Sequence, residues 1–192
     1  MADGIQSIAG GITAPAGFKS AALHCGIKAA DPDLALVVGD GILSAAGIFT
    51  TNMVAAAPVL LCKEHLLKTG GKVRAVIVNS GCANACTGDA GMRDARTTAE
   101  VTARALGCAP EQVLVASTGV IGVALKMTAL TTGIQTAAGQ LHRDAGGAAA
   151  RAIMTTDRAP KDAAVRVKAA SGSFVIGGMA KGAGMIEPRM AT

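Results

Sequence analysis

Glycine or proline interrupts every apolar stretch of this chain before it reaches the ~18–20 residues that a membrane span requires. There are 25 glycines in 192 residues, about 13% of the chain, against a usual ~7%. A chain punctuated this often folds as many short elements joined by tight turns, because glycine adopts backbone angles closed to other residues. The hydrophobic share of 51% comes largely from alanine.

The runs between the breakers read as mixed secondary structure. Leu34–Val38, Pro58–Cys62, Val73–Val78 and Val113–Ala116 are short, aliphatic and bounded by turn residues, as strands are. Ala164–Lys168 alternates apolar and basic residues, the pattern of a strand with one wet face. Ala90–Leu106 reads as a helix capped by Asp89, with Met92, Ala95, Ala99, Ala103 and Leu106 along one side and Gly107 and Pro110 stopping it. Further helices are expected at about 128–140 and 144–154, and a last strand at Phe174–Gly178. With no internal repeat or linker in view, the expectation is one α/β (mixed α+β) domain over residues 1–192.

Composition narrows the partners. The net charge of +5 comes from basic residues scattered singly, not from a basic tail. With three Phe and no Tyr or Trp, stacking platforms for single-stranded nucleic acid cannot be built. An acidic small molecule or an acidic partner chain fits this surface better. Met1-Ala2-Asp3-Gly4 opens without a basic or apolar signal region. A cytoplasmic protein is expected, with no membrane and no nucleic acid as partners, and with its five cysteines as reduced thiols. Cys82 and Cys86, spaced C-x₃-C with no second ligand pair nearby, do not make a zinc site, and no metal or cofactor is expected.

Two stretches carry chemistry. The segment from Lys181 to Ala191-Thr192 reads as a cut site. A threonine that becomes an N-terminus holds a hydroxyl nucleophile and, in its α-amine (pKa ~7.7–8.0), a general base on one residue. Before the cut, the same hydroxyl could attack the carbonyl of Ala191. Ser117-Thr118-Gly119, with Gly122 behind it, follows a strand. A turn there can aim a hydroxyl and a backbone N–H at the oxyanion of an acyl intermediate. Lys181 can hold the carboxylate of an amino-acid substrate. The stretch from Asn79 to Gly88 links strand to helix but matches neither phosphate-loop pattern.

Asn79-Ser80-Gly81 with Ala83-Asn84-Ala85-Cys86-Thr87-Gly88, then Ala116-Ser117-Thr118-Gly119-Val120-Ile121-Gly122, Ala152-Ile153-Met154-Thr155-Thr156-Asp157 with Pro160-Lys161, and Gly177-Gly178-Met179-Ala180-Lys181-Gly182 through Met190-Ala191-Thr192 together resemble one family. It is the bifunctional ornithine acetyltransferase/glutamate N-acetyltransferase family of arginine biosynthesis, and the chain is similar to its α half. Cys82 stands where that family often carries asparagine.

The resemblance implies helices layered on mixed β-sheets, completed by a β chain cut from the same precursor between Ala191 and Thr192, in an α₂β₂ heterotetramer. It implies an acyltransferase that moves acetyl from N-acetylornithine to glutamate through an acetyl-threonine on Thr192, with acetyl-CoA a further donor in some members. Thr118 and Gly119 would form the oxyanion hole, and Thr155, Lys181 and Thr192 would bind substrate, Thr156 being a near alternative to Thr155. A chain that ends with the Thr192 amine still in a peptide bond is expected to be inactive alone. Two other classes stand beside this one: a self-cleaving aminopeptidase-like hydrolase, and a non-catalytic anion- or nucleotide-binding module.

Overall fold

A computed structural model describes residues 4–184. The strands are β1 (Ile5–Ile8), β2 (Phe18–Leu23), β3 (Leu34–Ser44), β4 (Lys72–Cys82), β5 (Val113–Val120), β6 (Lys161–Ala169) and β7 (Gly172–Ala180). The helices are α1 (Ala57–Thr69), α2 (Gly88–Leu106), α3 (Met127–Gly139) and α4 (Gly146–Ala152). Four strands form one sheet in the order β2-β3-β4-β5 and three form another in the order β1-β6-β7. The first sheet is mixed: β2, β3 and β4 run antiparallel, whereas β4 and β5 are parallel because α2 crosses over between them. The fold is thus the layered, mixed α/β class that the sequence predicts.

Strand periodicity explains the layering. Leu34, Leu36 and Val38 point to one face of β3 and join Ala75, Ile77, Val113 and Val115 in the main core, beneath α1, α2 and α3. Ala35 points to the opposite face and packs with Ala149, Ala152 and Ile153 of the α4 region, against which Met179 of β7 also rests. β3 is therefore buried on both sides, so its first half reads as an unbroken apolar run. The stripe predicted on α2 is its buried face: Ala95, Ala99 and Ala103 are each at most 1% exposed. Thr98 and Thr102 are buried beside them and send their hydroxyls back to the carbonyls of Asp94 and Thr98. Small side chains at this seam let the helix lie close to its neighbours.

Two expectations are corrected. Pro58–Cys62 is not a strand but the first turns of α1; Pro58 sits at the start of the helix, where its missing N–H costs nothing. A short apolar run does not by itself distinguish strand from helix. Asp89 lies in the first turn of α2 and does not cap it; Thr87 occupies the cap position, and no side chain closes it. The helices expected at about 128–140 and 144–154 are Met127–Gly139 and Gly146–Ala152.

The alanine seam sets a stability test. Ala99→Leu forces three extra carbons into a closed face and is expected to lower unfolding stability by about 1–3 kcal/mol, measured by denaturant melts. An unchanged midpoint would show slack between α2 and the sheet.

Candidate active site

The parallel strands β4 and β5 end side by side, with Asn79 opposite Ser117, Ser80 opposite Thr118 and Gly81 opposite Gly119. The carboxyl ends of parallel strands are where open α/β sheets bind ligands. Asn79, 2% exposed, ties the two ends together. Its Oδ1 accepts from Ser117 Oγ at 2.6 Å and its Nδ2 donates to the Cys82 carbonyl at 2.9 Å. Gly119 has a φ of 134°, and a Cβ there would lie 2.3 Å from the carbonyl carbon of Gly81. No other residue fits that approach.

Lys181 follows the last residue of β7 and reaches across this opening. Its Nζ donates to Thr118 Oγ1 at 2.7 Å and to Thr155 Oγ1 at 2.8 Å. Three residues singled out in the sequence, from three separate segments, therefore meet at one ammonium. Both threonine oxygens act as acceptors here, which leaves each hydroxyl proton to be donated elsewhere. Of the two candidate threonines, Thr155 is the one that contacts Lys181, while Thr156 lines the same recess from an exposed position. That recess, about 660 Å³, is bounded by Lys28, Gly81, Thr118, Gly119, Thr155 and Lys181 among others. Gly182–Gly184 also line it. Ala191 and Thr192, the expected cleavage site and nucleophile, lie outside the described residues.

Two residues without an assigned role from the sequence hold this arrangement. The Asp157 side chain is 1% exposed. Its Oδ1 accepts from the Gly182 N–H at 2.7 Å and from Lys161 Nζ, and its Oδ2 accepts from the Thr155 N–H at 3.2 Å. One carboxylate thus pins the segments that carry Thr155 and Lys181. The Lys161 ammonium, then the Gly182 N–H, hold its pKa well below the usual carboxylate range. Lys28, on the β2–β3 loop, donates through Nζ to the Pro32 carbonyl at 2.9 Å and the Met154 carbonyl at 2.7 Å. The spacing of Asp157 and Lys161 hints at an i,i+4 pair; nothing in the sequence pattern marks the partners of Lys28, which are backbone carbonyls.

The loop that carries Lys28 wraps around Asp33, which is fully buried. Asp33 Oδ1 accepts from the Cys25 N–H, and Oδ2 accepts from the N–H groups of Gly26, Ile27 and Lys28, all within 2.7–3.1 Å. Burial pushes the Asp33 pKa up, but the N–H bonds from Cys25, Lys28 and Ile27 and the Cys25 thiol outweigh it and leave it below normal. The same surroundings push the Cys25 thiol up to about 12, first by burial and then by Asp33. Cys25 beside His24 is therefore no thiolate nucleophile at neutral pH. Among the described residues, no group of three or more His, Cys, Asp or Glu is placed to hold a metal ion.

The low Asp157 pKa has a signed consequence. The folded carboxylate titrates below its unfolded value of about 3.9, so its contribution is complete above that pH and is lost as pH falls through the folded pKa. Asp157→Asn is expected to melt earlier than the parent at neutral pH, with the two melting temperatures converging in acid. A gap that stays constant across pH would contradict this.

Against this geometry, the comparisons are informative. The sequence model of the ArgJ family matches residues 19–192. The chain is 50% identical over 191 residues to the arginine biosynthesis bifunctional protein ArgJ of Symbiobacterium thermophilum, covering 98% of this chain and 47% of that protein. It is 47% identical over 191 residues to the chloroplastic ArgJ protein of Zea mays, covering 97% of this chain and 41% of the relative. The chain spans about half the length of the curated relatives it matches. Solved chains are covered almost whole. The ornithine acetyltransferase of Mycobacterium tuberculosis complexed with ornithine aligns with a TM-score of 0.89 at 45% identity, covering 97% of this chain and 100% of that one. The ArgJ protein of Bacillus halodurans aligns at 0.90 and 37% identity, covering 97% and 98%. The chain belongs to the ArgJ family.

Proposed function

We propose that this chain is the α half of a self-cleaving acetyltransferase of arginine biosynthesis, acting with a β chain from the same precursor. The observation that carries the reading is the contact of Lys181 with both Thr118 and Thr155 beside Gly119, in a chain 45% identical to an ornithine acetyltransferase. Two size classes of relative support the cut: curated proteins of about twice this length, and solved chains covered 98–100% by it. A partner is also accommodated by β7, which is an edge strand among the described residues and leaves Phe174 and Ile176 half exposed.

In the proposed reaction the Thr192 α-amine takes the proton of its own hydroxyl, and the oxygen attacks the acetyl carbonyl of N-acetylornithine. The Thr118 hydroxyl and Gly119 N–H donate to the oxyanion. The C–N bond breaks, the amine of ornithine leaves with the proton, and an acetyl ester remains on Thr192. The amine of glutamate then attacks the ester, the α-amine again moving the proton. Thr155 and Lys181 hold the amino-acid part of each substrate. Acetyl-CoA serves as a second donor in this reading, and the relatives are named bifunctional. The enzyme works as an α₂β₂ heterotetramer in the cytoplasm; among the described residues no helix is long and apolar enough to cross a membrane.

Intact-mass analysis of the full-length gene product tests the cut. Wild type is expected to give two fragments, one starting at Thr192, and Thr192→Ala a single uncut chain without acetyl transfer. An uncut wild-type chain would remove the nucleophile. In the processed enzyme, Thr118→Val is expected to lower kcat by about 10²–10³; a loss below threefold would deny Thr118 its oxyanion role.

A further inference from the structure

Two lysines and no carboxylate stand among the described residues that line the recess. Lys181 is one; Lys28 is the other. Two of the nearby acids are engaged elsewhere. Asp33 is saturated by four backbone N–H groups, and Asp157 by Lys161, Gly182 and Thr155. No carboxylate lines the described part of the recess, although Asp33 and Asp31 act on Lys28 from outside its lining.

Lys28 is delivered to the recess by construction. Asp33 folds residues 25–28 around its carboxylate, and the Lys28 side chain then passes over Gly81. A Cβ on Gly81 would meet Ile27 Cγ2 and Lys28 Cγ, each at 3.0 Å, so the glycine at the end of β4 leaves the path open. Pro32 and Met154 carbonyls take two of the three N–H donors of Nζ, and the residue after Met154 is Thr155. Burial lowers the Lys28 pKa, Asp33 and Asp31 oppose that shift, and the charge on Lys181 adds to it. Lys28 and Lys181 line one recess, so an anion held there meets the charge of both.

We propose that Lys28 is a specificity residue that binds a second carboxylate, so that the recess selects a dicarboxylate acceptor over a monocarboxylate. This rests on the acetyl-transfer reading for its substrate class: glutamate carries two carboxylates, whereas N-acetylornithine carries one and a distal ammonium, which must lie away from Lys28 when the donor binds. Lys181, tied to Thr118 and Thr155, meets the carboxylate near the reacting amine, and Lys28 meets the distal one. The third Nζ donor makes that contact without breaking the bonds to Pro32 and Met154.

The test uses full-length protein as wild type, Lys28→Gln and Lys28→Arg. Gln keeps N–H donors for the two carbonyls and removes the charge; Arg keeps both. Calorimetric titration with glutarate and with butyrate isolates the second carboxylate. Wild type is expected to bind glutarate about 10–100-fold more tightly than butyrate, the usual worth of one hydrogen bond to a charged group. Lys28→Gln loses that ratio through glutarate affinity, raises the KM for glutamate more than it lowers kcat, and Lys28→Arg restores most of the ratio. No glutarate preference in wild type overturns the proposal without recourse to any variant. An equal loss for both acids in Lys28→Gln also overturns it, since that marks a strap holding Thr155 and not a carboxylate contact. Wild-type protein that prefers glutarate yet takes no acetyl from N-acetylornithine would sink the acetyl-transfer reading and leave the dicarboxylate recess standing.

Discussion

The Lys181 ammonium is the point on which the candidate site closes. It stands just past the end of one sheet, reaches a hydroxyl at the end of the other, and takes a second hydroxyl from the turn after α4. The bridge adds a polar tie between two sheets that also pack through α4 and the segment at Gly11–Thr13, and it gives Thr118 and Thr155 a common partner. A charged donor to two neutral oxygens also fixes which way those hydroxyls can give their protons, and that direction is what an acyl-transfer site requires.

Rigid backbone makes the bridge possible. Gly119 lies against Gly81 at a distance no side chain tolerates, so the ends of β4 and β5 close into one surface. Asp157 and Asp33 do similar work on the two flanking loops, each carboxylate gathering backbone N–H groups that would otherwise be unpaired. Such acids act as local templates: they order a loop by giving its donors one shared acceptor. Lys28 and Lys181, beside those loops, line the recess, whereas Lys161 pairs with Asp157.

Much of this was legible beforehand, for identifiable reasons. Leu34–Val38 and Val73–Val78 announced themselves because strands buried on both faces are continuous aliphatic runs, and α2 because its alanines recur every four residues. Pro58–Cys62 misled because five apolar residues carry no period, and the proline that looked like a strand boundary opens a helix. Thr118, Gly119, Thr155 and Lys181 were found through their motifs, and the fold brings them together. Lys28 and Asp157 were not assigned roles, because most of their partners are backbone atoms, and a contact between a side chain and a distant peptide group leaves no trace in residue types. The placement of Thr192 lies outside the described residues.

The central claim is that this recess serves an acetyl ester on threonine. The most direct measurement is mass spectrometry of the processed full-length enzyme, quenched in acid moments after mixing with N-acetylornithine and no acceptor. The account predicts that the fragment beginning at Thr192 gains the mass of one acetyl group, mapped to Thr192, and loses it when glutamate is added. Release of ornithine with no acetyl-bearing peptide, whatever the quench time, would contradict it and point instead to direct transfer or hydrolysis.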